Sequence, residues 1–252
     1  MMALATKILL AAMALLLVDG VIELAFIVTM VAWVHRRAGG DFIIDYERNG
    51  RSQFPLHGKP ANDMVDQGHT SNGAAGTAIV VIALGGFLAL FLRHRQLKRS
   101  DSVHGFTKAL YYFWLVMTVL SAMLAVAALI YTFVVTYNHT GQTIDLALAA
   151  SLDNHPYPNY VAYPEQNWTP ENWFTAVLEL PLAYRHDRSD IRFHLKLMKG
   201  WRWNLIPLSV LGITVAVLAI VDKMQMSYRI RSGKHSRRLD KEARQEAGSP
   251  EY

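Results

Sequence analysis

Two acidic residues, Asp19 and Glu23, interrupt an apolar run near the start of the chain, LLLVDGVIELAFIV over residues 15–28. Residues four positions apart lie on one face of a helix, so the two carboxyl groups would be neighbours. A carboxyl pair inside an apolar helix is a candidate proton or cation site, a candidate catalytic pair, or a polar contact that docks one helix on another. The sequence leaves these three interpretations open.

The acids make the first apolar segment only marginally favourable in lipid. Two charges near the middle of a membrane helix cost roughly 5–7 kcal/mol on insertion scales. The 15 Leu, Ile, Val and Phe residues of the segment offset roughly 4.5–9 kcal/mol. We therefore expect the carboxyl groups to face other helices and not to be ionised at the same time. No Lys, Arg or His lies at matching depth, so hydroxyl groups such as those of Thr118, Ser121 and Thr214 are the expected partners.

The elements that must position these acids are four apolar blocks. Hydrophobic residues make up 52% of the 252 residues and charged residues only 18%, below the globular norm of about 25%. The blocks cover 8–34, 74–92, 109–137 and 203–221, and each is long enough to cross a bilayer, which takes roughly 20 residues. The sequence predicts an all-α membrane protein with four transmembrane helices and a partly helical extracytosolic loop region. We expect the first span to stay uncleaved, because its apolar run continues past any small-x-small site.

The blocks divide the chain into spans and connections. We expect an N-terminus and first span (1–34), a first outer loop (35–73), two spans joined by a short basic loop (74–137, with the loop at 93–108), a large outer loop with amphipathic helices (138–202), a fourth span (203–221) and a basic, largely disordered tail (222–252).

The basic residues predict the orientation. Five lie at or beside the loop between spans two and three and eight lie in the tail; with Lys7 these make 14 of the 25 Lys and Arg residues. Lys and Arg near the membrane favour the cytosolic side. We therefore expect both termini in the cytosol of a secretory-pathway or plasma membrane. Arg36 and Arg37, directly after the first span, run against this rule.

The outer loops show local signals for secondary structure. Phe42, Ile43 and Ile44 predict a short strand that turns at Asn49-Gly50. The order Thr169-Pro170-Glu171 is typical of a helix start, and this helix should end before Pro181.

Two further features of the large outer loop concern its apolar and aromatic residues. Ser189 can cap an amphipathic helix that we expect to lie in the membrane interface and lead into span four, with Trp201 and Trp203 at headgroup level. Other aromatic residues of the loop could bind a sugar or peptide, or pack onto the protein: Tyr157, Tyr160, Tyr163 and Trp168.

Several kinds of chemistry are disfavoured. The chain has no cysteine, which excludes disulfides and thiolate metal sites. None of the ten histidines lies inside a span, so no haem, metal or other cofactor is expected. The basic residues cluster at membrane edges, which argues against nucleic-acid binding. Two Asn-x-Thr motifs, at Asn138 and Asn167, predict N-glycosylation on the outer side, with Asn167 the better candidate.

Small residues recur in the later spans, which favours close helix packing because lipid gives little hydrophobic drive for helices to associate. These faces could hold one four-helix bundle together or bind partner membrane proteins. The outline resembles tetraspan membrane proteins in general, but claudin-like and tetraspanin-like proteins carry outer-loop cysteines, so none of their roles is transferred. The expected function is a membrane organiser or accessory subunit that binds proteins or lipids. The alternative is a membrane enzyme or small transporter that uses Asp19 and Glu23 on a lipophilic substrate or proton.

Overall fold

The structure is a computed structural model that describes residues 4–38, 40–48, 51–99, 105–158 and 167–247. The predicted turn at Asn49-Gly50 and the side chains of Tyr160 and Tyr163 lie outside these ranges. The described chain is mainly helical, and four of its helices are long and apolar enough to cross a membrane. The predicted all-α class with four spans is confirmed.

The four long helices extend beyond the predicted apolar blocks, because polar turns at their ends continue the helix. The first is α1 (Leu4–Ala38). The second is continuous through α2 (Asp66–Thr77), a π-helical segment (Ala78–Leu84) and α3 (Gly85–Arg99). The third is α4 (Gly105–Asn138) and the last is α7 (Arg185–Ala247).

The first and last helices run antiparallel and touch along most of the length of α1. Near one end Trp33 Nε1 donates to Asp190 Oδ2 at 2.8 Å, and near the other Thr6 Oγ1 donates to Asp222 Oδ1 at 2.5 Å. The predicted interfacial helix after Ser189 is therefore wrong: this segment is the first part of α7. Its buried residues recur three or four positions apart and face protein rather than lipid: Ile191, Leu195 and Met198.

The tail also differs from its prediction. The backbone of α7 continues as one helix to Ala247, whereas the sequence predicts a largely disordered tail from residue 222. The charged stretch DKEARQEA consists mostly of good helix formers, and it follows directly on a helix already formed, so no new nucleation is needed.

The connections on one side of the bundle fold into a packed domain, which we call the head (residues 40–65, 139–158 and 167–202, with the adjoining end of α1). It opens with an antiparallel hairpin of β1 (Asp41–Arg48) and β2 (Arg51–His57), as the apolar triplet predicted. A two-residue strand β3 (Asn62–Asp63) pairs in parallel with β4 (Asn167–Trp168). Two helices complete it, α5 (Leu146–Ser151) and α6 (Pro170–Glu179).

Helix α6 begins as its sequence predicts. The Thr169 hydroxyl accepts a hydrogen bond from the Asn172 backbone N–H at 3.2 Å, and Pro170 occupies the first turn. The helix ends at Glu179, before Pro181. This cap places the neighbouring Glu171 and Asn172 side chains against the bundle.

The core of the head is aromatic. Its largest fully buried side chains include Phe42, Tyr157, Trp168, Trp173 and Phe174. Tyr157 and Trp168 are therefore core residues, not an exposed sugar or peptide site. Trp201 is buried in the same cluster, so only Trp203 stands exposed, as expected of a residue at headgroup level.

The small residues of the spans pack inside one bundle. A Cβ atom added to Gly86 would lie 2.6 Å from Met13 Cε and 2.7 Å from the Trp114 ring. Gly212 also faces a neighbouring helix, but less tightly, because its added Cβ would lie 3.7 Å from the Ala122 Cα, an ordinary van der Waals distance. These faces are occupied by the protein's own helices, which favours the single-bundle interpretation over partner binding through them.

Candidate functional site

Glu23 is fully buried on the face of α1 that meets α7. Asn204 of α7 donates a hydrogen bond from Nδ2 to Glu23 Oε2 at 3.0 Å. The other carboxylate oxygen, Glu23 Oε1, is buried without a hydrogen-bond partner. One oxygen of the Glu23 carboxyl group thus accepts a hydrogen bond, and the other is buried without one.

Asp19 lies one turn away on α1 and is only half-buried. Its Oδ2 has no hydrogen-bond partner, and the Asn204 amide lies 3.5 Å from the Asp19 backbone carbonyl oxygen. No other side chain bridges the two acids within the described residues. The predicted pair is therefore one buried acid with an amide partner and one flanking acid.

The hydroxyl groups expected to hold the acids lie elsewhere. Thr118 donates to the Trp114 carbonyl oxygen, Thr214 donates to the Val210 carbonyl oxygen, and Ser121 lies 3.3 Å from the Thr77 hydroxyl. The actual partner, Asn204, is neither a cation nor a hydroxyl, and so it is not among the expected partners. The signal was available, since an amide inside the predicted fourth span also needs a partner in lipid.

The acids lie nearer the head, relative to the other helices, than the sequence predicts. Glu23 is level with Asn204, the second residue of the predicted fourth span, and Gly20 packs on Ile79 and Ala75 at the start of the predicted second span. Relative to the other helices the acids lie near the head end of the bundle, whereas their central depth in the bilayer stays a prediction. They lie near the head end because the apolar run of α1 continues into the head, where Ile27, Met30 and Trp33 are core residues.

Buried polar groups continue from the level of Glu23 into the head. Ser71 of α2 and Thr132 of α4 lie 3.4 Å apart, hydroxyl to hydroxyl, and both are fully buried. One turn farther out, Asn172 of α6 donates from Nδ2 to the Thr136 carbonyl oxygen at 2.9 Å. Gln67 and His139 extend the two polar helix faces, and Gln67 Oε1 and His139 Nε2 are buried without hydrogen-bond partners. The side of the bundle nearest the head is thus polar inside.

Two acids of the head lie beside this region. Glu171 pairs with Arg202 at 3.3 Å, and burial raises the pKa of Glu171 against the opposing charges of Arg202 and Lys199. Burial also raises the pKa of Asp63 to about 6, with Lys59 acting in the opposite direction. Sequence patterns gave no signal for either acid, because both depend on contacts between distant segments.

A second buried polar network ties all four long helices at the end far from the head. Asp222 of α7 accepts hydrogen bonds from Arg93 Nη2 of α3 at 2.6 Å, from the Tyr111 hydroxyl of α4 at 3.0 Å and from Thr6 of α1. The Arg93 guanidinium also lies over the Tyr111 ring, 4.4 Å from its centroid. Because the Asp222 carboxylate accepts hydrogen bonds from three donors on three other helices, we interpret this network as structural: it holds the four helices together.

The two predicted glycosylation sites differ in setting. Asn138 is exposed at the end of α4. Asn167 is half-buried in β4, and the Thr169 of its motif is buried and caps α6. The folded structure therefore leaves Asn138 the more accessible of the two.

The chemistry available to these residues is limited to hydrogen bonding, ion pairing and proton exchange at Glu23. In the part of the chain that the structure describes, no three His, Asp or Glu side chains come together as a metal site. Comparison with protein-family models, with curated proteins and with solved structures finds no match for this chain.

Proposed function

We propose that this protein is a membrane organiser or accessory subunit that binds other proteins through its head. The observation that carries the proposal is that the described connections on the head side condense into one packed domain with an aromatic core. A preformed surface of this kind loses little conformational entropy on binding. It is continuous with the membrane helices through α1 and α7, so a partner bound there is held at a fixed place on the membrane.

The use of the buried charges supports a non-enzymatic role. Asp222 joins four helices, Glu171 joins α6 to α7 through Arg202, and Arg37 joins α1 to α7 through Asp187 and Asp190 at 3.1 and 2.6 Å. Each of these acids has a cation as partner. Side chains in this arrangement hold elements together and leave no activated nucleophile or acid–base pair among them.

The packing of the bundle indicates where partners would bind. Most small residues of the predicted spans, including Gly86 and Gly212, are buried against neighbouring helices. Close helix-to-helix docking of a partner would need such a face. The head is therefore the better binding surface, and we propose that it lies on the extracytosolic side, as the distribution of basic residues favours.

Partner capture tests this proposal. The full chain, solubilised in mild detergent, should co-purify with a stoichiometric membrane or extracytosolic protein after crosslinking in cells. Replacing exposed hairpin residues, for example Gln53→Arg with Glu47→Arg, should reduce the captured partner if the hairpin forms part of the surface. A double change at exposed residues of the far end, Gln225→Arg with Lys98→Glu, should not. Recovery of the protein alone from intact membranes would contradict the proposal.

A second function is favoured by one observation, the buried Glu23 Oε1 without a hydrogen-bond partner. We propose, as the alternative, that Glu23 exchanges a proton or binds a small cation as part of a transporter or of an enzyme acting on a lipophilic substrate. In proteoliposomes with an internal pH dye, wild-type protein should then carry protons or monovalent cations, and Glu23→Gln should abolish the flux. Asp19→Asn, which leaves the Glu23–Asn204 contact in place, is the matched control. Equal dye responses from wild type, Glu23→Gln and empty vesicles would exclude this role.

A further inference from the structure

One exposed face of α7 runs from the membrane into the head without a break. Its residues follow one another in alternate steps of three and four positions, which keeps them on a single side of the helix, opposite the bundle core. All of them are exposed: Val217, Ile213, Val210, Ile206, Trp203, Lys199, Lys196 and Arg192.

The chemistry of this face changes at Trp203. On the bundle side of Trp203 the exposed residues are aliphatic, as lipid contact requires. On the head side the next three are basic. Indole side chains prefer the membrane–water interface, so Trp203, which is 56% exposed, marks the level of the lipid headgroups.

Two of the three basic residues, Lys196 and Lys199, lie at the height of lipid phosphates. With a rise of 1.5 Å per residue, the backbone of Lys199 lies about 6 Å beyond Trp203 and that of Lys196 about 10 Å. The headgroup layer is about 5–8 Å deep on each side of the hydrocarbon core. The long flexible stem of a lysine can bring its ammonium group back by several ångströms. Both lysines therefore reach this layer, whereas the backbone of Arg192, about 16 Å beyond Trp203, lies outside it.

These cations form no close ion pair with neighbouring acids. Across the described residues none of Arg192, Lys196 and Lys199 forms a salt bridge. Three carboxylates of the head form their ion pairs with other cations, Asp187 and Asp190 with Arg37 and Glu171 with Arg202, although the charge of Lys199 also acts on Glu171. The exposed face therefore carries unbalanced positive charge next to the bilayer.

We propose that the basic stripe, formed by Lys196 and Lys199 on the head side of Trp203, binds the phosphate groups of anionic lipids in the head-side leaflet. A lipid is the occupant because the stripe continues a lipid-facing surface and lies at headgroup depth, where a soluble anion or protein would have to displace headgroups. This site is independent of the protein-binding role proposed for the head.

Tryptophan quenching by brominated lipids tests the proposal directly. Of the six tryptophans, Trp203 is 56% exposed and the other five are at most 6% exposed, so bromine on lipid acyl chains should quench chiefly Trp203. The full chain is placed in phosphatidylcholine nanodiscs that contain brominated phosphatidylglycerol or, at the same mole fraction, brominated phosphatidylcholine. Trp203→Phe gives the background from the buried indoles.

We expect quenching by the brominated phosphatidylglycerol to be about twofold stronger or more, and to fall as salt is added. Lys196→Gln with Lys199→Gln should remove this preference. Arg36→Gln with Lys59→Gln removes the same charge from exposed head positions off the stripe and should leave the preference unchanged.

Equal quenching by the two lipids in the wild type would overturn the proposal. It would mean that the lysines extend into water and do not attract the anionic lipid. A preference that survives in the Lys196 and Lys199 variant, or at high salt, would also overturn it. If that variant elutes abnormally in size-exclusion chromatography, the salt dependence of the wild type decides the question alone.

Discussion

Asn204 of the last helix donates a hydrogen bond to Glu23 of the first at 3.0 Å, level with the junction of bundle and head. Glu23 is fully buried, and the partly buried Asn204 reaches it from α7. An acid that looked isolated in the sequence is thus one half of an interhelical contact.

Removing the amide should be more harmful than neutralising the acid. Asn204→Leu leaves the Glu23 carboxyl group buried without a donor, which we expect to destabilise the bundle by about 1–3 kcal/mol. Glu23→Gln keeps an oxygen that can accept from Asn204 and should be nearly neutral. Thermal unfolding in detergent, followed by size-exclusion chromatography, measures both. Equal loss in the two variants would mean that the contact does not dock the helices.

The network at the far end of the bundle should be more sensitive to loss of charge than to loss of a hydroxyl. Arg93→Met leaves Asp222 buried without its cation and should cost about 3–5 kcal/mol. Tyr111→Phe removes one hydrogen bond and should cost about 1 kcal/mol. The same unfolding assay ranks the two variants. A larger effect from Tyr111→Phe would show that the ion pair is not the main tie.

Two adjacent glycines provide a matched test of the bundle packing. Gly86→Ala forces a Cβ to within 2.6–2.7 Å of Met13 and Trp114, and overpacking of this kind costs about 1–3 kcal/mol. Gly85→Ala meets only the Val80 carbonyl oxygen at 3.5 Å, and should stabilise the helix by up to about 1 kcal/mol. Opposite shifts in melting temperature are expected. Shifts of the same sign and size would contradict the packing of α3 against α1 and α4.

The head should lose stability as the pH rises through the range between the unfolded and folded pKa values of Asp63. Its pKa is raised from 3.8 to about 6, so between these values the folded head holds a proton that the unfolded chain has lost. Stability therefore falls as the pH rises from about 4 to 6 and is level above that, by about 1–2 kcal/mol after solvent screening. Asp63→Asn should remove this slope. Unfolding of the head, followed by tryptophan fluorescence at pH 4 to 8, measures the effect as the difference between the wild type and Asp63→Asn. If the two plots of unfolding free energy against pH were parallel, Asp63 would not contribute.

The absence of cysteine makes the orientation easy to test, because any introduced thiol is the only one in the chain. Ser189 at the head end of α7 and Ser227 beyond its apolar stretch are both exposed. A membrane-impermeant maleimide applied to intact cells should label Ser189→Cys and not Ser227→Cys, whereas both should react after lysis. The reverse pattern would place the head in the cytosol.

Much of the architecture is readable from local patterns. Apolar length alone identifies the four spans, and the Thr169 cap and the triplet Phe42–Ile44 identify α6 and the hairpin, because each of these signals lies within a few residues. The depth of Glu23 is not readable in this way. Apolar residues of α1 belong to a membrane-spanning helix at one end and to the core of the head at the other. Hydropathy does not distinguish these two surroundings.

The candidate site was predictable only in part. Asp19 and Glu23 are recognisable in the sequence as acids among apolar residues. Their burial and hydrogen bonding depend on Asn204 of α7, which lies about 180 positions later in the chain. The same holds for Glu171 with Arg202 and for Arg93 with Asp222. Charges that pair across such distances have no sequence spacing that connects them. The amphipathic stretch after Ser189 was predicted to be an interfacial helix for a related reason. Its apolar stripe fits a protein core as well as a membrane surface.

The pairing of β3 with β4, and of α1 with α7, also fixes the order in which the molecule can be assembled during its synthesis. Residues 62–63 meet residues 167–168, and Trp33 meets Asp190, so neither contact can form until most of the chain has left the ribosome. Until α7 has been made, Glu23 of α1 has no hydrogen bond from Asn204. A polypeptide interrupted before its final helix would keep that acid unmatched, and would be a natural target for the cell's clearance of orphaned membrane segments.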